Sequence, residues 1–264
     1  MRLKISHRTE YRYDAPVSYA LQRLRLVPRN GPTQEVVEWS LTTNGAHDEV
    51  HFIDGFGNDT RLISIAGTAH TMLIEARGVI DTRNTAGVTG RHEGLAPLWL
   101  FQQQTRLCTA GRGIAALLKA IKGDDDVERL HGLMHEVRAR VAYTVGTTHA
   151  ATTAEEALAK GEGVCQDHAH IFLTAARAMG FSARYVSGYL RMDDTDEQAA
   201  SHAWAEAHLE GLGWVSFDCS NGISADERYA RVATGRDYRD AMPVMGIRLG
   251  HAQEELAVQI TVEQ

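Results

Sequence analysis

Two hydrophobic periods share this chain, and they change over near residue 88. Before it, apolar residues recur at alternate positions in short runs broken by turn residues; after it they recur every three or four positions. A period of two lines one face of a strand, and a period near 3.6 lines one face of a helix. The chain must therefore be α+β, with strands grouped first. Residues 3–13, 21–27, 36–41, 50–53, 61–66 and 72–76 read as strands, with Val79 and Ile80 close behind the last. Asp54-Gly55-Phe56-Gly57-Asn58 is a turn cluster. Strands at this spacing predict a small all-β domain over residues 1–88, a sandwich or open barrel.

Helical spacing begins near Leu95 and recurs over residues 114–121 and 127–141. Asp124-Asp125-Asp126 puts carboxylates where a helix N-terminus favours them. Thr152-Thr153-Ala154-Glu155-Glu156 has the form of a capping start. A further helix is expected over residues 165–179, stopped by Gly180. Residues 185–190, 203–209 and 214–217 read as strands, the last two forming a hairpin around Glu210-Gly211-Leu212-Gly213. A core over residues 89–245 follows from this pattern. Leu256, Val258, Ile260 and Val262 then alternate in a closing strand within residues 246–264.

The chain of 264 residues carries a formal charge of −7. Residues 1–88 hold 10 basic and 10 acidic side chains, so the net acidity lies in the later part. No basic stripe for phosphates is present, and no nucleic-acid partner is expected. No apolar run is long enough to span a bilayer, so no membrane partner is expected either. The N-terminus lacks the apolar core of a secretory signal. Cys108, Cys165 and Cys219 are an odd, widely spaced trio that suits a reducing, cytoplasmic setting better than a disulfide framework.

One cysteine stands apart. Gly161-Glu162-Gly163-Val164-Cys165-Gln166-Asp167-His168 places Cys165 just after two glycines and at the start of a helix. The positive end of the helix dipole favours a thiolate there, and the free N–H groups can hold an oxyanion. His202 begins one hairpin strand and Asp218 ends the other. Directly opposite pairing of the two would need a turn centred at 210 or a bulge. Cys165, His202 and Asp218 have the chemistry of a Cys-His-Asp triad: nucleophile, acid–base and orienting carboxylate. The oxyanion would be held by the Cys165 N–H and one more donor, for which Gln166, Trp204 and Tyr143 are candidates.

GEGVCQDHAH, ARYVSGYL, SHAWAEAHLEGLGW and VSFD resemble the successive core motifs of the transglutaminase-like cysteine peptidase superfamily. Tyr11-Arg12-Tyr13-Asp14, LRLVPRN and DGFGND are similar to the β-rich N-terminal region that accompanies this core in one bacterial subgroup. The resemblance covers nearly the whole chain. It implies a papain-like core, a helix-borne cysteine packed on an antiparallel sheet, with Cys165, His202 and Asp218 as its triad. Members include peptidases, amidases, deamidases and cross-linking transglutaminases, and some are inactive. Two departures stand out. Cys219-Ser220-Asn221 follows Asp218 where the family usually has proline, which should loosen the strand exit; and Ala207-His208 replaces the usual aliphatic–aromatic pair. Strand alternation points Cys219 away from Asp218, as a buried structural thiol.

The other candidates have plainer readings. Cys165, His168 and His202 are allowed zinc ligand types, but the ligand spacing of a zinc motif is missing. Asp167 and His168 suit capping and packing at the helix start. His131 and His135 lack the glutamate of H-E-x-x-H. Asp193-Asp194-Thr195-Asp196-Glu197 reads as a solvated loop near the cleft mouth. The expected function is thiol-dependent hydrolysis of amide bonds in a peptide or protein substrate, with no cofactor. Acyl transfer to an amine and a catalytically silent binding module are the alternatives.

Overall fold

The computed structural model describes residues 1–66, 70–250 and 253–264. The early period of two folds as β1 (Arg2–Tyr13), β2 (Tyr19–Val27), β3 (Gln34–Asn44), β4 (His47–Ile53), β5 (Asp59–Ala66) and β6 (Thr71–Thr82). In β1 the alternation is strict: Leu3, Ile5, His7, Thr9, Tyr11 and Tyr13 are all buried. β7 (Val88–Gly90) leads into a 3-10 turn over Leu98–Gln102. The helical region comprises α1 (Arg112–Leu118), α2 (Asp126–Arg140), β8 (Ala142–Tyr143), α3 (Ala154–Lys160), β9 (Glu162–Gly163) and α4 (Cys165–Ala178). Next come β10 (Ala183–Leu190), β11 (Glu197–Gln198), β12 (His202–Leu209), β13 (Gly213–Phe217), β14 (Tyr229–Gly235), α5 (Tyr238–Ala241), β15 (Val244–Leu249) and β16 (Glu254–Glu263).

Two sheets build the N-terminal region, ordered β11-β16-β1-β6-β3 and β15-β2-β5-β4. They bury a shared apolar layer, with Tyr11, Leu41 and Ile74 from one and Leu24, Ile63 and Ile65 from the other. β16 pairs antiparallel with β1, and β15 with β2. The end of the chain thus completes the first region's sheets, while β7 joins the core sheet, ordered β14-β10-β12-β13-β7. The reading of the sequence passes over β14 and β15. Most of β14 is buried, which removes the polar–apolar alternation that marks a half-exposed strand.

The helix caps behave as their residues require. Asp125 accepts the Glu128 N–H ahead of α2, and Thr153 with Glu156 forms a capping box on α3. Gly180 has φ 95° just past α4, a conformation that favours glycine. From Asp167 to Arg177 every α4 residue is buried, as expected for a helix enclosed on all sides. Ala203, Ala205 and Ala207 of β12 and Val215 and Phe217 of β13 share one cluster with Phe172 and Leu173 of α4. Small side chains on β12 let the helix lie close to the sheet. The alternate β12 residues, His202, Trp204 and Glu206, therefore face the other way. A further apolar seam joins Leu3, Ile5 and Ile80 to Tyr189, Ala230 and Val232, tying the N-terminal sheet to the core. Among the described residues, no helix is long and apolar enough to cross a membrane.

Candidate active site

The glycines around Cys165 do separate jobs. Gly161 ends α3 in the left-handed conformation, φ 73°. Gly163 leaves room: a Cβ there would stand 2.8 Å from Asp167 Cβ and Oδ2. Asp167 uses that space to accept the Val164 N–H at 2.8 Å and the Thr148 hydroxyl at 2.6 Å. A carboxylate in the first turn suits the helix dipole and fixes the entry to α4. β8 and β9 run parallel, and the Thr144 N–H donates to Gly163 O at 2.8 Å. This short ladder sets Tyr143 beside the start of α4. Burial, with the Cys165 thiol and Asp218 nearby, raises its hydroxyl above the ordinary value. Cys165 is 9% exposed, whereas Tyr143 is 55% exposed.

The hairpin brings His202 and Asp218 together without a bulge. Ala205 pairs with Phe217 and Leu209 with Gly213, so three residues form the loop and its centre is Gly211. That register sets Asp218 across from Trp204, not His202. His202 and Asp218 are diagonal neighbours on one face, a separation that side chains of this length can close. His202 Nε2 lies 2.6 Å from Asp218 Oδ2, and both residues are buried. Asp218 does not use the other ring nitrogen, and the Cys165 thiol is among the groups that raise the ring. Burial disfavours the imidazolium, but the Asp218 charge and hydrogen bond, with Cys165, outweigh it and raise His202 to about 10.

Asp218 is held by more than His202. Oδ2 also accepts from the Asn221 side chain at 2.7 Å and from the Tyr229 hydroxyl at 2.8 Å. Oδ1 accepts the N–H groups of Ser220 and Asn221 at 2.9 and 3.2 Å. Burial pushes this carboxyl up, yet His202 and these donors bring it below the ordinary value. The exit from β13 is therefore tied down and not loosened by the missing proline. Cys219-Ser220-Asn221 supplies a side-chain turn on Asp218, strengthened by the Gly222 N–H donating to Asp218 O at 2.7 Å. Tyr229, Ser220 and Asn221 were not among the expected site residues. The run Ser220-Asn221-Gly222, two residues after the aspartate, carried a turn signal for two of them; Tyr229 lies on the strand that left no pattern.

Trp204 lies against His202, ring centroids 6.1 Å apart and 25° between planes, and meets Tyr229 edge-on. It walls the His202–Asp218 pair from one side. Gln166, second in α4, is partly exposed. Of the three candidates for an oxyanion donor, Tyr143 is the one whose hydroxyl is raised in part by the Cys165 thiol, behind burial. His168 has both ring nitrogens engaged, by the Ser220 hydroxyl at 2.9 Å and Val141 O at 3.0 Å, and so packs the helix start. Among the described residues, Cys165, His168 and His202 do not group as metal ligands. His131 packs edge-on against Phe217. Cys219 lies in the apolar cluster beneath the sheet, on the face opposite Asp218. Burial pushes its thiol well above the ordinary range and raises Cys108 to about 11.

Comparison with known proteins agrees with this architecture. Residues 115–219 match the transglutaminase-like superfamily core, and residues 3–81 match the bacterial transglutaminase-like N-terminal region. An uncharacterized protein of Mycobacterium leprae is 27% identical, covering 99% of this chain and 98% of its own length. An uncharacterized protein of Mycobacterium tuberculosis is 30% identical over 93% of this chain and 87% of its own. A solved structure from Cytophaga hutchinsonii, described as a "Putative Cysteine Protease", superposes with a TM-score of 0.78 at 21% identity, covering 100% of this chain and 91% of that one. That likeness extends the shared fold across both regions. The chain belongs to the transglutaminase-like superfamily and carries the bacterial transglutaminase-like N-terminal region.

Proposed function

We propose that this protein is a thiol hydrolase that opens amide bonds through an acyl-enzyme on Cys165. The observation that carries the reading is the buried His202–Asp218 pair, 2.6 Å apart, with the Cys165 thiol at a helix N-terminus among the groups that raise His202. A charged His202 is the natural partner of a Cys165 thiolate. The sulfur adds to the amide carbon, and the carbonyl π electrons move to oxygen. The first-turn N–H groups of α4, which lack intrahelical partners, and the Tyr143 hydroxyl face the resulting oxyanion. As the C–N bond breaks, His202 gives its proton to the departing amine, leaving a thioester. Water then attacks that thioester, losing a proton to His202, and the acid departs as the thiolate–imidazolium pair is restored. Asp218 holds the ring and its charge throughout.

An amine can take the place of water at the thioester, so the decisive assay reads products. The folded protein is incubated with a mixed peptide library, with and without a small primary amine, and masses are compared with Cys165→Ala. Hydrolysis gives fragments that have gained one water; transfer to the amine gives adducts that have lost ammonia or a peptide amine. Water-gain products that depend on Cys165 are the expected result. Adducts without hydrolysis would move the assignment to acyl transfer. Equal product from Cys165→Ala would overturn the mechanism.

A further inference from the structure

A second feature of the molecule lies where the N-terminal region meets the core. A cavity of about 310 Å³ opens there, within the range of small-molecule sites. Its lining includes Arg29, Arg91, Arg184 and Arg231, with Glu93 the one carboxylate among them. Behind the wall, Glu206 meets Arg184 at 2.6 Å and Arg231 at 3.5 Å. Four arginines and one glutamate thus line the cavity, and Glu206 behind it pairs with two of the four, in a protein whose overall charge is −7. Arg29 and Arg91 have no carboxylate partner among the described residues; Arg29 donates only to Gly57 O at 2.6 Å.

Two side-chain amides bridge the seam. Gln34 donates to Arg231 O and accepts the Arg231 N–H, at 2.8 and 2.7 Å. Asn58 makes the same paired contact with Thr234, 2.8 Å each way. Both amides bind backbone on β14 and fix the cavity wall before any ligand arrives. Arg184 is itself set in place. It is 6% exposed, bonded through Nε to Glu206, and its guanidinium stacks 4.0 Å over the Trp214 ring. Burial pushes Arg184 down to about 9; Glu206 raises it and Arg231 lowers it. Arg184 and Arg231 thus share the single carboxylate of Glu206. A fixed cavity with surplus guanidinium donors has the chemistry of a receptor for oxyanions, which arginine binds in fork geometry. Phe56 in the same wall offers a face for an apolar or planar portion.

We propose that this cavity binds a small molecule through a carboxylate or phosphate group, held by Arg91 and Arg231 on the core side of the seam with the N-terminal region. The site is separate from Cys165: Glu206 stands four residues beyond His202 along β12, roughly 13 Å at the strand rise. The proposal does not depend on the hydrolase reading. Calorimetric titration of the Cys165→Ala protein with inorganic phosphate and, separately, with succinate tests it, at matched ionic strength. Saturable binding of phosphate alone identifies a phosphoryl ligand, and saturable binding of succinate identifies a carboxylate. In either case Arg91→Ala and Arg231→Gln should each weaken binding at least about tenfold, as loss of one charge-assisted contact does. Arg91 is exposed, so its replacement should leave the unfolding midpoint unchanged. No saturable binding of either probe, or binding unaffected by both substitutions, would overturn the proposal.

Discussion

Replacing Asp218 by asparagine keeps the shape of the side chain and removes its charge. In the native protein Oδ2 accepts from His202, Asn221 and Tyr229, while Oδ1 accepts two backbone N–H groups. Asparagine has one carbonyl oxygen for these two sets. If it stays with the backbone, its NH2 faces three donors; if it turns, it faces two. His202 is then a buried ring without its counter-charge. Burial, the strongest influence on this ring and one that lowers it, is now opposed by Cys165 without Asp218. We expect His202 to fall from about 10 to below its ordinary value of about 6.5. Breaking a buried pair in this way costs about 3–5 kcal/mol, a large share of the ~5–15 kcal/mol typical of a domain. Urea unfolding measures the loss, and NMR titration of the His202 ring measures the charge. Tyr229→Phe, which removes a single donor to the carboxylate, should cost about 1.5–3 kcal/mol and leave His202 charged at neutral pH. A destabilisation under ~1 kcal/mol in Asp218→Asn, or a His202 that still holds its proton above neutrality, would refute the reasoning.

Other expectations follow from the same contacts. His7 and His170 are buried and neutral, lowered by burial to about 4 and about 3. The unfolded chain takes up protons at both below about pH 6.5 and the folded chain does not, so stability is full above that pH and falls as pH drops toward 4. The slope from these two rings approaches ~2.7 kcal/mol per pH unit, and a flat urea midpoint over the interval would contradict it. Gly163→Ala forces a Cβ against Asp167; it should destabilise by about 1–3 kcal/mol and slow alkylation of Cys165, and unaltered values for both would show that the close approach is slack. Tyr143→Phe should lower turnover about 10²–10³-fold, with the unfolding midpoint nearly unchanged because the ring is half-exposed; a rate equal to wild type would remove Tyr143 from the oxyanion site.

The sequence patterns give out where burial or geometry erases periodicity. The early strands were legible because one face of β1 is buried and the other exposed. α4 was legible from Gly163, Cys165 and Gly180, even though its surroundings are apolar throughout. β14 was not: Tyr229, Ala230, Ala233 and Thr234 are buried on both faces, so nothing alternates. With that strand went Tyr229 and its bond to Asp218. The residue types at the site could be named from spacing, but the register of β12 on β13 could not. A loop centred at Gly211 sets His202 diagonal to Asp218, and only the folded turn fixes that choice. The substitution after Asp218 shows the same limit. As letters it was a lost proline; as structure it is a turn whose N–H groups hold the carboxylate.

Cysteine-resolved alkylation gives the most direct test of the thiolate–imidazolium pair. Native protein and His202→Ala are treated briefly with iodoacetamide near pH ~6, where an ordinary thiol reacts slowly, and each cysteine is read by mass spectrometry. Cys108 and Cys219 are buried and shifted upward, so they serve as unlabelled internal references. The account predicts fast labelling of Cys165 alone in the native protein and at least tenfold slower labelling in His202→Ala, about 1.4 kcal/mol in the barrier. Slow labelling of Cys165 in both proteins, with folding intact, would contradict it.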